Sequence, residues 1–254
     1  MSLAPTQPGK GMAIGVMLDR PEPIADVESS AARAKPSAAQ AHVRQSHMIA
    51  DGVRRLLDIL LAGTMLLALA PLLIAVALAI RIDTGGPSLF RQRRVGRGRR
   101  EFTMLKFRTM RSDADATPHR EYVQALIGDD RGPERGRLYK LSVDDRVTRV
   151  GRILRSWSLD EVPQLLNVLR GQMALVGPRP VIAYEVEMYP EDYLRRFDVK
   201  PGLTGLWQVS GRNERTYEEM VHFDLEYATE RSLLGDLRIL IKTVPVVLSR
   251  QGVA

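Results

Sequence analysis

An apolar run without a single charged residue extends from Ile59 to Ile80, and Pro71 stands in its middle. At ~1.5 Å per residue, the segment ILLAGTMLLALAPLLIAVALAI is about long enough to cross a hydrocarbon core of ~30 Å as a straight helix. So long a fully apolar run is uncommon as the core helix of a soluble protein. Pro71 argues against straightness, because an internal proline deletes a backbone hydrogen bond and collides with the carbonyl four residues earlier. That costs ~3 kcal/mol unless the helix bends. Arg54 and Arg55 precede the run, and Arg81, Arg91, Arg93, Arg94, Arg97, Arg99 and Arg100 follow it. A simple span would leave one basic flank outside, against the positive-inside tendency, whereas a helix that enters and returns keeps both flanks cytoplasmic. The backbone groups freed at such a bend need partners, and Thr64 is the only hydroxyl nearby.

The remainder has the means for a folded domain. The chain has 254 residues, of which 44% are hydrophobic. Its formal net charge of +7 implies an anionic partner, and the adjacent apolar segment favours lipid headgroups or phosphorylated substrates over nucleic acid. The absence of cysteine excludes a disulfide framework, thiolate metal sites and thiol catalysis. Residues 1–48, rich in Ala, Pro, Ser and Gln without apolar periodicity, read as a disordered leader. The short patch MAIGVML lacks the flanks of a secretory signal.

Beyond the anchor, EFTMLKF within 101–107 predicts a strand or hairpin, and the arginines from Arg91 to Arg100 read either as a solvated basic loop or as a face along headgroups. Residues 112–140 read as a surface excursion with a short helix around Glu121–Ile127. Arg146, Arg149, Arg152 and Arg155 recur every three residues, so a helix arrays them as a slowly drifting stripe, suited to an ion-pair network or an anion site. Ser158-Leu159-Asp160-Glu161 fits a capping box, but Pro163 would then fall beyond the first turn. A start at Asp160 or Glu161 accommodates the proline and sets both carboxylates at the positive end of VPQLLNVLRG. A phosphate drawn to the same helix end would be repelled unless arginines or a divalent metal intervened. VGPRP at 176–180 is a proline-braced turn that would aim Arg179, and PGLTGLWQVSGRN at 201–213 offers Trp207, Gln208 and Arg212 in a loop-like setting suited to a nucleotide or sugar. TYEEMVHFDLEYATE is helical in pattern, and its His222 reads as structural. The tail from Arg231 to Arg250 is an amphipathic segment for the core or the membrane interface.

The order of a proline-broken apolar helix, KFRTM at 106–110, SLDEVPQLLNVLRGQMALVGPRP at 158–180 and PGLTGLWQVSGRN at 201–213 resembles the bacterial sugar transferases that start exopolysaccharide synthesis. These are the monotopic polyprenyl-phosphate phosphoglycosyl transferases, in their short form. The likeness runs from about Arg54 to the C-terminus. It implies an α+β, mainly helical fold that follows the disordered leader at 1–48, which has no family counterpart: a re-entrant helical hairpin at 49–82 bent at Pro71, and a small cytoplasmic catalytic domain at 83–254 with interfacial amphipathic helices. The implied location is the bacterial inner membrane, and the implied reaction moves a sugar 1-phosphate from a UDP-sugar, UDP-galactose or UDP-glucose, to undecaprenyl phosphate with release of UMP. By the same resemblance, Asp160 is the nucleophile that forms a covalent phosphosugar intermediate. Glu161 is the neighbouring acid for metal or base work, and Mg²⁺ bridges the carboxylates and the diphosphate. Lys106, Arg108, Arg155, Arg179 and Arg212 fall on the family's phosphate-binding positions. Ala70 departs from the family pattern, which commonly has serine before the helix-breaking proline. Anionic membrane lipid is an expected partner, and a homodimer is allowed.

Two other classes compete. A non-catalytic scaffold on a single bitopic helix would use its basic face to hold anionic lipid or a partner protein, and would tolerate loss of Asp160. A peripheral nucleic-acid binder would need exposed aromatics between its basic residues, and only 6% of residues are aromatic.

Overall fold

The apolar run becomes the core of one long helix, α1, Ala38–Thr84, whose helical assignment continues through Pro71. The computed structural model describes residues 38–111, 146–211 and 215–249, with side chains in α1 described from Met48 onward. One compact unit runs from Ser46 to the C-terminus; of the other, Met1–Gln45, only the helical backbone from Ala38 is described. The expected excursion at 112–140, with its helix near Glu121–Ile127, and Arg212 lie outside the described residues, as does the leader up to residue 37.

Both flanks of the apolar run are fastened to the same body. Before it, Arg54 Nε donates to Asp236 at 2.7 Å, Arg55 Nη2 donates to the carbonyl of Leu169 at 2.7 Å, and Asp58 Oδ1 accepts from the Leu175 amide at 2.9 Å. After it, Asp83 Oδ2 accepts from the Val150 amide at 3.4 Å, and Arg108 Nη2 donates to Thr84 Oγ1. Between these ties Ala62, Leu66, Leu73, Val76 and Ile80 pack against the domain. Their spacing of three, four or seven residues keeps them on one helix face. The opposite side, including Leu60, Met65, Leu67, Leu72, Ile74 and Leu78, is exposed. A continuous apolar surface of that size requires an apolar solvent or a partner.

The predicted hairpin is present. β1, Leu89–Val95, pairs antiparallel with β2, Glu101–Phe107, so that Leu89 faces Phe107 and Val95 faces Glu101. The arginines of β1 are therefore strand residues rather than a solvated loop, and Arg94 is buried. Next comes α2, Arg149–Ser156, capped by Thr148 Oγ1, which accepts from the Gly151 amide at 2.9 Å. A 3-10 helix at Leu159–Gln164 runs into the short α3, Leu165–Leu169. β3, Ala174–Val176, lies parallel to β4, Gly202–Thr204, with α4, Ala183–Val186, and a further 3-10 segment, Glu191–Asp198, between them. The C-terminal part is helical: α5, Leu206–Val209; α6, Tyr217–Glu230, with a capping box between Thr216 and Glu219; and α7, Leu233–Leu248, capped by Ser232. The mainly helical α+β expectation holds, with two small two-stranded sheets among the described residues.

The principal core joins Phe102 and Met104 of β2 to Leu165 and Val168 of α3, Leu175 of β3, Tyr227 of α6, Ile239 of α7 and Ala62 of α1. Leu165 and Val168 are fully enclosed, each contributing roughly 1.5–3 kcal/mol by burial. α7 buries Ile239 and leaves Leu234, Leu237, Ile241, Val244 and Leu248 as one exposed apolar stripe, matching the amphipathic reading of the tail.

Candidate active site

β2 carries Lys106, and the 3-10 helix laid against that strand carries Asp160 and Glu161. Lys106 Nζ donates to Glu161 Oε1 at 2.8 Å, across fifty-five residues of sequence. Both side chains are partly exposed, so the pair adds little stability; it fixes the place of a cation beside the two adjacent carboxylates.

The turn ahead of these acids has an uncommon backbone. Ser158 is left-handed at φ 54° and ψ 20°, a conformation that costs a residue with a Cβ roughly 1–2 kcal/mol. It makes no side-chain cap, which agrees with rejecting the capping box. The expected α-helical start at Asp160 or Glu161 is nevertheless corrected. Residues 159–164 wind as a 3-10 helix containing Pro163, and the α-helix begins only at Leu165 and ends at Leu169. So short a helix sums little macrodipole, and the positive charge set beside the acids is the Lys106 ammonium instead.

Asn167 locks this segment to the strand. Its Oδ1 accepts from the Leu105 amide at 3.0 Å and its Nδ2 donates to the Thr103 carbonyl at 2.7 Å, so the carboxamide occupies the edge of β2 that β1 leaves open. Nδ2 also donates to Gln172 Oε1 at 2.8 Å. Leu159 and Val162 on either side of the acids pack inward, Leu159 against the cluster of Val76, Ile80, Phe107 and Leu154. Asp160 thus follows directly on a residue seated against the C-terminal half of the apolar helix.

Arg155, on the last turn of α2, donates from Nε to Thr109 Oγ1 at 2.9 Å. The stripe does not act as a unit: Arg149 and Arg152 are exposed, and Arg146 precedes the helix. Gly151 permits the close approach, since a Cβ there would lie 2.1 Å from the Thr109 carbonyl oxygen. Arg108 is buried with Nη2 at Thr84, which places it at the exit of α1.

Arg179 extends from the turn after β3, with its guanidinium 5.7 Å from the Trp207 ring centre. Its carbonyl accepts from Arg196 Nη2 at 3.1 Å, and Arg196 is itself fully buried against Asp224. Gly177 lets the two parallel strands meet, because a Cβ there would come within 2.4 Å of the Lys200 carbonyl oxygen. Arg94 spans the hairpin and this turn, its Nη1 donating to the Pro180 carbonyl at 3.0 Å. Burial, then the charge of Arg179, pushes the Arg94 guanidinium down to about 10, opposed by Glu185, Tyr184 and Glu161. Sequence reasoning missed Arg94, Arg196, Thr109 and Asn167, since each acquires its role only through contacts distant in sequence. His222 is exposed, consistent with leaving it out.

Residues 49–250 match the family model described as bacterial sugar transferase. The chain belongs to the bacterial sugar transferase family. Among curated relatives, this sugar transferase is 41% identical over 199 residues to the exopolysaccharide production protein ExoY of Rhizobium meliloti, covering 78% of this chain and 87% of that one. It is 43% identical over 204 residues to the UDP-glucose:undecaprenyl-phosphate glucose-1-phosphate transferase of Caulobacter vibrioides, covering 77% and 70%. With the undecaprenyl-phosphate galactose phosphotransferase of Salmonella typhimurium it shares 42% identity over 202 residues, which span 79% of this chain and 41% of that longer one.

Proposed function

We propose that this sugar transferase moves a sugar 1-phosphate from a UDP-hexose, galactose or glucose by analogy with the relatives' names, to undecaprenyl phosphate, releasing UMP in the first membrane step of exopolysaccharide synthesis. The observation that carries the reading is the seating of the Asp160–Glu161 turn between Lys106 and the apolar helix, through the Lys106–Glu161 pair and the Leu159 contact. That placement suits one phosphate approaching from water and another from the lipid side.

In the first step an Asp160 carboxylate oxygen bonds to the β-phosphorus while the bond from that phosphorus to the α–β bridging oxygen breaks, and UMP leaves with the electron pair. In the second step an oxygen of the lipid phosphate bonds to the same phosphorus, the aspartyl–phosphorus bond breaks, and the Asp160 carboxylate is restored. Lys106 and Glu161 hold charge and hydrogen-bond geometry around the reacting group, Arg155 and Arg179 supply cations for diphosphate oxygens, and buried Arg94 braces the Arg179 turn through the Pro180 carbonyl. Arg212 belongs to the same proposal from its motif position. Mg²⁺ would be held by the Asp160 and Glu161 carboxylates together with substrate oxygens, hard oxygen donors of the kind that ion takes. When bound, the ion would neutralise diphosphate charge next to the carboxylates.

The monotopic, re-entrant placement belongs to this reading, with the domain on the cytoplasmic face of the inner membrane and anionic lipid around it. Support comes from the ties of both basic flanks to one body, since a bitopic helix would have to separate them; this weighs against the scaffold alternative. The test is UMP release by the nanodisc-embedded protein with Mg²⁺, undecaprenyl phosphate and a panel of UDP-sugars. Wild type should respond to one donor and Asp160→Asn to none; turnover that survives in the variant would refute Asp160 as nucleophile.

A further inference from the structure

At the turn end of the β1–β2 hairpin, away from the carboxylates, a cavity of about 100 Å³ gathers an excess of cations. Its wall includes Arg55 and Asp58 from α1, Arg97 from the hairpin turn, and Lys200 from the segment entering β4. Asp51, also on the wall, is engaged by Arg54 and Arg231, each at 3.1 Å. Arg55 donates from Nη1 and Nη2 to the neutral carbonyls of Val168 and Leu169. Two carboxylates, Asp58 and the already engaged Asp51, thus stand against Arg55, Arg97 and Lys200. Burial first, then Arg55 and Arg97, push the Lys200 ammonium below the ordinary lysine range, with Asp58 and, more weakly, Asp51 opposing them. Such crowding of like charge is relieved by an anion.

The cavity is separate from the candidate active site. Val95 faces Glu101 at the turn end of the hairpin, whereas Phe90 faces Lys106 near the other end. The five residue-to-residue steps from 101 to 106 span ~17 Å. Its size is well under the ~300–1,000 Å³ of sites that enclose whole drug-sized ligands, so a compact anionic group fits and a nucleotide-sugar does not. The pocket lies beside the start of the apolar run, where a membrane that takes up that run would set its headgroups. Arg55 and Asp58 flank Leu56 and Leu57, which are exposed at the start of the apolar run, and the Arg54–Asp236 tie brings in α7 with exposed Leu234 and Leu237.

We propose that Arg55, Arg97 and Lys200 form a second phosphate site, distinct from the catalytic one, which takes the phosphodiester headgroup of an anionic phospholipid while its chains lie along the exposed leucines of α1 and α7. The proposal rests on membrane association and not on the transferase chemistry, and its test needs no UDP-sugar. Full-length protein in nonionic detergent is titrated with dihexanoyl phosphatidylglycerol, dihexanoyl phosphatidylcholine or inorganic phosphate, and bound ligand is read by native mass spectrometry. Wild type should retain phosphatidylglycerol in preference to phosphatidylcholine. Arg97→Gln/Lys200→Gln should weaken it by on the order of tenfold or more, and Arg152→Gln, an exposed arginine elsewhere, should leave it unchanged. Melting curves establish that each variant is folded, and Lys200→Gln alone replaces the double variant if that one is not. An equal loss in Arg152→Gln would reduce the effect to diffuse surface charge and overturn the site. Retention of inorganic phosphate without phosphatidylglycerol would overturn the lipid assignment, and retention of neither would overturn the proposal entirely.

Discussion

Replacing Asn167 by alanine should separate the acids from their lysine. In the folded protein its carboxamide satisfies the Leu105 amide and the Thr103 carbonyl on the open edge of β2, and Asn167 is fully buried. Alanine leaves both backbone groups without those partners in the interior, at ~1–3 kcal/mol each, and opens a small void. The expected destabilisation is about 3–4 kcal/mol, a large share of the ~5–15 kcal/mol typical of a folded domain. Asn167→Asp tests the polarity: it keeps an acceptor for the Leu105 amide but turns a second acceptor toward the Thr103 carbonyl, so it should recover little. Thermal and denaturant unfolding in detergent give the stability. UMP release well below the variant's melting temperature then reads geometry alone, and should stay depressed because the Glu161 segment has lost its tie to the strand that bears Lys106. A change below about 1 kcal/mol in Asn167→Ala, or full activity in the folded variant, would refute this account of how the site is held.

Lys106→Gln should cost no more than about 1 kcal/mol of stability, as a partly exposed pair does, while slowing turnover on the order of a hundredfold if the ammonium faces developing phosphate charge; comparing melting with kcat separates the two. Gly151→Ala should reduce activity by displacing α2, and with it Arg155, from Thr109, and an unchanged KM for UDP-sugar would show that this helix does not set substrate binding. The Glu219 carboxyl is held below its ordinary value of 4.5 by the Thr216 amide first and by Arg215 as well, so its contribution is present above that pH and lost as pH falls. Glu219→Gln should accordingly melt earlier than wild type at pH 7, with the gap narrowing as the pH is lowered progressively below 4.5. Chelation by EDTA should stop UMP release and restored Mg²⁺ should return it, without moving the melting temperature far, as expected of an ion held largely by substrate oxygens.

What the sequence exposed and what it hid follow from the range of the interactions involved. The apolar run, the hairpin at EFTMLKF and the capped helix from Tyr217 are legible because periodicity and capping act over a few residues. The motif order led to Asp160, Glu161, Lys106 and the arginines as candidates, and folding brings Lys106 to Glu161. The 3-10 winding at Leu159–Gln164 was hidden because Pro163 and the left-handed Ser158 permit more than one start, and packing of Leu159 and Val162 chooses among them. Asn167 and Arg196 were invisible for a different reason. A buried polar side chain declares itself only when its partners, here on β2 and beside Arg179, arrive from elsewhere in the chain.

The fastening of α1 at both flanks changes what the word anchor means for this protein. A tether can be cut, but Ala62 lies in the principal core and Val76 and Ile80 in the cluster beneath Leu159, so the same helix that meets lipid is a wall of the folded domain. Deleting residues up to Thr84 would therefore strip apolar surface from Met104, Phe107 and Leu154 and remove the Asp58 partner of the Leu175 amide. Water-soluble fragments made in that way should aggregate or lose their tertiary packing. Engineering a soluble enzyme would have to replace the outward-facing leucines one by one and leave the inward stripe intact.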